Sequence, residues 1–277
     1  MKKFLAIFLA VLLLVCMVAC KKDETNEDEN SNAAIKTDEV MVKDNFKYAV
    51  NATGDYEIVG YITDGAEELN VVIPAEIDGR PVTGIGQDAF KALKNLKSFK
   101  VADGNNNLKY IGVCAFWGCD GLTEVTIPAT VTEIRELAFS GCTNLTTINF
   151  SNVLVTIGDY AFAHCDKLTG ITLPETLTTI GVGAFFDCDA LVNVTIPAAV
   201  NDIGKGAFVE CKKLIGITFT ATDNWFSPQL DAKGEVVLNA KNEIIYDTIA
   251  ADSINTPDKA AAFLADGLQI TRILPKA

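Results

Sequence analysis

The stretch from Ile157 to Thr179 reads "IGDYAFAHCDKLTGITLPETLTT", and Ile180 to Asp202 reads "IGVGAFFDCDALVNVTIPAAVND". The second stretch rewrites the first: I-G, then A-F, C, L, an apolar pair and P. Outward from these two, anchors of the same kind stand at Ile85, Ile111, Ile134 and Ile203. Successive anchors are 23 residues apart, except for a first interval of 26, whose three extra residues fall in the polar stretch Asp103 to Asn107. Counting the anchor as place one, all six units carry Ala at place five, Phe at place six (Phe90, Phe116, Phe139, Phe162, Phe185, Phe208) and Leu at place twelve. Self-similarity at a fixed short period is the mark of a repeat architecture.

One unit can be read physically. "LTEVTIP", Leu122 to Pro128, alternates apolar and polar residues around Val125 and Ile127, as a short strand with one buried face does. Pro128, Pro174 and Pro197 end it, because proline cannot donate to a continuing ladder. A second apolar pair, such as Val131 and Ile134, follows a turn, and "AFSGC" then predicts a tight helical turn. No unit can bury its own apolar face. Stacked units can, with equivalent residues laddered about 4.8 Å apart through a continuous core. The fixed letters are then inward, and the variable ones face water or a partner. The predicted fold is a repeat solenoid of 23-residue units with a short parallel strand per rung, mainly β with short helical turns.

The pattern L-x-x-V-x-I-P…I-G-x-x-A-F-x-x-C resembles the BspA-type leucine-rich repeat family, most clearly in "LTEVTIPATVTEIRELAF" and "LVNVTIPAAVNDIGKGAF". The resemblance runs from about Tyr56 to Phe219, with "YEIVGYITDGAEELNVVIPAEIDGRPVTGIG" as a degenerate entry repeat. It implies a right-handed leucine-rich solenoid on a secreted or surface-attached protein, of a kind that binds host proteins or other cells.

The rest of the chain frames the repeats. Lys2-Lys3 followed by the apolar run Phe4 to Val15 is too short for a comfortable membrane span and reads as a signal peptide over residues 1–20. It ends "VCMVAC", which resembles a bacterial lipobox with Cys20 as the acylated residue, although Met17 stands where Leu is usual. A plain secretory peptide is the alternative. Residues 21–45, opening "KKDETNEDENSNAA", read as an acidic flexible tether, and "CKKDE" resembles signals that send some lipoproteins of Gram-negative anaerobes to the outer-membrane surface. Residues 46–84 are expected to cap the stack, 85–223 to form six repeats, and 224–277 to cover its far end. That cover is predicted to hold two strands in "KGEVVLNAKNEIIYD", a short helix in "TPDKAAAFLADG" and a last strand in "LQITRIL".

Of the 277 residues 49% are apolar and 21% charged, and the formal charge is -13, two units more negative once Lys2 and Lys3 leave with the signal. Such a surface repels nucleic acid and bare anionic membrane, so neither is an expected partner, and the membrane enters only through the lipid anchor.

Chemistry-bearing residues are few. Cys119, Cys142, Cys165, Cys188 and Cys211 share one repeat place, where the first unit has Leu93. They read as a ladder of buried thiols, with disulfides in an oxidising compartment as the other reading. Cys114 stands outside the ladder. Sulfurs spread along a line do not make a zinc site, which gathers ligands around a point. His164 is the single histidine, at a variable place, without a second His or a neighbouring nucleophile to complete a catalytic set. The glycines after Ile in "IGDY", "IGVG" and "IGKG" read as turn residues, and "GVGAF" lacks the Lys-Ser/Thr of a phosphate loop. No cofactor is implied.

One band remains. Thr126, Asn149, Thr172, Thr195 and Thr218 hold the outward sixteenth place of successive units, beside Thr123, Thr146 and Thr169. Thr suits exposed strands on propensity alone. Alternatively the band is a recognition face, with Trp117 and Phe186 in the variable turns as further candidate contacts. Three functions compete: binding of an extracellular or host surface protein, glycan capture by the band and the two aromatics, and a structural envelope spacer. An enzyme is the least supported class.

Overall fold

In the computed structural model, residues 40–104, 106–220, 225–228, 246–248 and 270–272 are described. The signal peptide with Cys20, residues 21–39 of the acidic tether, most of the two strands expected in 233–247 and the helix expected at 256–267 lie outside them. Among the described residues the chain is a β-solenoid of about seven turns without any helix.

Each turn carries two strands, where the sequence predicts one. The front strands are the expected "LTEVTIP" segments: β4 (Leu69–Ile73), β7 (Leu96–Val101), β9 (Glu124–Thr126), β11 (Thr147–Asn149), β13 (Ile171–Thr172), β15 (Asn193–Ile196) and β17 (Gly216–Phe219). They pair in parallel as β4–β7, β9–β11 and β13–β15–β17. The back strands end on the anchoring isoleucines: β6 (Arg80–Ile85, with β5, Glu76–Ile77, folded against it), β8 (Tyr110–Ile111), β10 (Glu133–Ile134), β12 (Thr156–Ile157), β14 (Thr179–Ile180) and β16 (Asp202–Ile203). These pair in parallel, anchor against anchor, into one long sheet.

Antiparallel strands close both ends of that sheet. At the start, β1 (Met41–Lys43) and β2 (Phe46–Val50) fold onto β3 (Tyr56–Tyr61), which pairs in parallel with β6. β1 falls inside the stretch expected to be tether. At the far end β20 (Ile270–Arg272) pairs with β16, β18 (Trp225–Pro228) with β20, and β19 (Tyr246–Thr248) with β18. An uncovered sheet edge invites pairing with other chains, and these strands occupy it.

The flank between back and front strands corrects the helical-turn expectation. Its fourth place has positive φ in every repeat: Asp88, Cys114, Leu137, Tyr160, Gly183 and Gly206, between 53° and 69°. So does its eighth: Ala92, Gly118, Gly141, His164, Asp187 and Glu210, between 56° and 73°. A left-handed residue third in a four-residue turn is the type II signature. These residues rotate alternate N–H groups out of the rung. Phe116 N donates to Ala138 O at 2.7 Å and Gly118 N to Ser140 O at 2.8 Å, both in the next repeat. A helical turn would keep those donors to itself; here they lace neighbouring rungs into a third ladder.

The core is a set of columns. Phe90, Phe116, Phe139, Phe162, Phe185 and Phe208 stack with centroids 5.0–5.5 Å apart and planes within 8° of parallel. Spacings in that range suit stacked aromatic pairs. The cysteine column lies beside them, and all six described cysteines are free thiols. Each ladder thiol donates to the Phe carbonyl one rung back: Cys119 to Phe90 at 3.1 Å, Cys142 to Phe116 at 3.3 Å, Cys188 to Phe162 at 3.2 Å. Burial pushes these thiols well above their ordinary range, Cys119 up to about 12.

The glycine that follows every anchor except Ile134 is there for a different reason from the one its turn setting suggests. Gly112 and Gly204 do not have positive φ; instead an added Cβ would meet Ile85 O at 2.7 Å and Val182 N at 2.3 Å. The position is bare because adjacent rungs touch backbone to backbone there.

Candidate ligand-binding face

The front strands carry the band in two paired runs, Thr126–Asn149 and Thr172–Thr195–Thr218. Asn149 pairs with Thr126, Thr172 with Thr195 and Thr195 with Thr218, and all five side chains are exposed. Alternation along each strand turns their inward neighbours Val125, Ile148, Ile171, Val194 and Ile217 into the core. On either side of the row the columns differ in what their hydroxyls do. Thr146 Oγ1 donates to Thr123 O at 2.9 Å, Thr130 to Leu108 O at 2.6 Å and Thr176 to Leu154 O at 2.8 Å. Those threonines bind one rung to the last. In the row itself Asn149 Nδ2 donates to Thr126 Oγ1 at 3.2 Å and to Glu124 Oε1 at 3.0 Å. The hydroxyls of Thr172, Thr195 and Thr218 have no partner among the described residues.

From Thr147 to Thr218 the exposed side chains at the two outward strand places are Thr147, Asn149, Thr172, Asn193, Thr195 and Thr218, with Gly170 and a buried Gly216 at the remaining places. None is charged, although the chain carries a formal charge of -13. Nothing lies within 4 Å of a Cβ added at Gly170, so the surface is open. Chemically the strip offers repeated hydroxyl and amide groups, and no group that titrates near neutrality.

The two turn aromatics do not join it. Both lie on the flank, after the A-F pair, three repeats from each other. Phe186 is only 3% exposed and packs against Ala163, with Tyr160 and Val209 around it. That withdraws it as a surface contact: the left-handed residues at places four and eight fold the flank back on itself, and the ring is caught between rungs. Trp117 is half-buried, with Lys91 Nζ 5.7 Å from the ring centroid.

His164 has a partner on the same flank, its Nδ1 lying 3.0 Å from Asp187 Oδ2. Asp187 lies 3.7 Å from Lys212 Nζ, which also holds Asp189 at 2.8 Å. Desolvation, with Asp187 and Asp189 nearby, raises the Asp166 carboxyl above its usual value. Among the described residues no nucleophile completes the pair, and the adjacent Cys165 is buried and turned toward Phe139 O. Among the described residues no cluster of His, Cys, Asp or Glu could hold a metal ion, and no helix is long and apolar enough to cross a membrane.

Comparison with known proteins adds the family. The model of the BspA type leucine rich repeat region matches residues 81–221 in six copies. The chain belongs to the BspA-type leucine-rich repeat family. This BspA-type chain is also similar to a leucine-rich repeat protein from Bacteroides ovatus, at 32% identity and a TM-score of 0.57, over 64% of this chain and 46% of that one. A leucine rich cell surface protein from Faecalibacterium prausnitzii follows at 26% identity and a TM-score of 0.51, over 72% and 61%. The chain thus spans less than two thirds of either protein. No curated protein matches it.

Where the N-terminal cap meets the BspA-type repeats, one polar group escaped the reading of the sequence: Glu57 of β3 with Tyr110 and Arg135. Its signal was there, in Arg135 occupying the column that is glycine at Gly86, Gly112, Gly158, Gly181 and Gly204.

Proposed function

We propose that this chain is a non-enzymatic, lipid-anchored surface protein of adhesion type, which engages an extracellular protein or host-cell ligand through the front face of its repeats. The observation that carries the reading is the row of hydroxyls at Thr172, Thr195 and Thr218, without a partner among the described residues, on an uncharged strip of an acidic chain. Solenoids present long regular surfaces of this kind to their partners. Surface display draws support from the F. prausnitzii relative, described as a cell surface protein, and anchoring from the sequence around Cys20. The burial of Phe186 removes one aromatic platform from the glycan alternative.

Two experiments test it. The purified chain is titrated against a panel of extracellular matrix and host-cell surface proteins, with a glycan array beside it. Saturable binding to a protein supports the reading; silence on both leaves the envelope-spacer role in its place. Cys20→Ser should release the protein from membrane fractions, and a mutant that stays there contradicts the anchor.

A further inference from the structure

Three departures from the repeat pattern converge where the N-terminal cap meets the repeats. Glu57 of β3 pairs with Gly84 of β6, and Gly84 with Tyr110 of β8, so the three share one outward column. A Cβ at Gly84 would lie 2.2 Å from Tyr110 Cζ. The bare glycine is therefore a slot, and the tyrosine ring lies in it, reaching across a whole strand. Its hydroxyl donates to Glu57 Oε2 at 2.5 Å, and Glu57 is 8% exposed. The Arg135 guanidinium covers the ring at 4.0 Å from the centroid, while Arg135 Nε donates to Glu133 Oε2 at 3.0 Å.

We propose that Glu57, Tyr110 and Arg135 form a proton-operated clasp that holds the N-terminal cap more tightly to the repeats in mildly acidic surroundings than in neutral ones. The groups facing Glu57 are few. β8 brings the Tyr110 hydroxyl and the turn after β10 brings Arg135, whose other side is taken by Glu133. β2 sets Ala49 opposite Glu57, and β6 brings only Gly84 and, just beyond its end, Gly86. Burial raises the Glu57 carboxyl above 4.5, and the Tyr110 hydrogen bond and the Arg135 charge oppose that without cancelling it. With the cap open, Glu57 returns to water and to its ordinary value. The docked cap therefore binds the proton more tightly than the open one. Docking gains its full strength below 4.5 and loses it as the pH rises through the higher docked value. That is opposite in sign to the acid lability conferred by ion-paired carboxylates.

Hydrogen exchange read by mass spectrometry on the full chain tests the clasp. Protection of peptides covering β2 and β3 is compared between pH 7.5 and pH 5, after correction for intrinsic exchange, with the front strands β11 and β15, which carry no titratable side chain, as the internal reference. Cap protection should rise on acidification, by up to about tenfold for each unit by which docking raises the Glu57 carboxyl, while the reference stays flat. In Glu57→Gln the rise should vanish, and Gly84→Ala, which evicts the tyrosine, should weaken the cap at both pH values. Should Glu57→Gln not fold, the wild-type slope of cap against reference decides. A wild-type cap that loosens or does not change at pH 5, or a Glu57→Gln variant with the wild-type slope, overturns the proposal.

Discussion

The thiol of Cys142 donates to the carbonyl of Phe116, 3.3 Å away in the preceding repeat. The same bond recurs along the column, from Cys119 to Phe90 through to Cys211 to Phe185. Each thiol thus has a neighbour's backbone carbonyl as acceptor, and no sulfur is bonded to another, so a denatured, unreduced sample should yield all five ladder cysteines alkylated. In native protein only Cys211, the one ladder thiol that is not fully buried, should react at a measurable rate. Oxidised pairs in freshly purified protein would contradict this. The raised thiols also set an alkaline limit. Their contribution is complete below the ordinary value of 9.0 and is lost as pH climbs toward the folded value, about 12 for Cys119. Melting temperature should therefore fall above pH 9, and fall less in Cys119→Ala.

The phenylalanine column predicts a local loss with a large magnitude. Phe162 is fully buried between Phe139 and Phe185, with Phe150 edge-on at 5.7 Å. Phe162→Ala should cost about 3 to 5 kcal/mol in chemical denaturation. A loss under about 1 kcal/mol would mean that neighbouring rungs close the cavity.

Two glycines should behave oppositely. Gly204→Ala drives a Cβ to 2.3 Å from the Val182 backbone nitrogen, a contact that no side-chain rotation relieves. It should destabilise by several kcal/mol, on the order of an overpacked core. Gly170→Ala meets nothing within 4 Å and should be neutral or gain up to about 1 kcal/mol. Thermal melts of the pair check both signs.

What the sequence disclosed and what it hid follow from one physical difference. Side-chain identity is written in the letters, so the Phe, Leu and Cys columns, the period and the outward row were all legible. Backbone conformation is written only where it demands a special residue. Gly118, Gly141, Gly183 and Gly206 mark the two left-handed places, but Leu137, Tyr160 and Asp187 occupy them as well, and the signal dissolves. The flank was therefore expected to be helical. From Tyr110 onward the second strand of each rung is two residues long and escapes the alternation test. Phe186 looked exposed because its place varies, whereas the flank folds over it. The clasp was hidden for another reason: Glu57 and Tyr110 are 53 residues apart, and only the stacking of β3, β6 and β8 brings them together.

The central claim is that the Thr row recognises a ligand. The measurement that bears on it most directly is the affinity of Thr172→Lys/Thr195→Lys for the partner found in the binding panel, taken beside its melting curve. Both side chains are exposed, so stability should change by no more than roughly 0.5 kcal/mol per substitution. If the row is the recognition face, binding is abolished while the fold survives. Wild-type affinity in a folded double mutant would show that these threonines only suit an exposed strand.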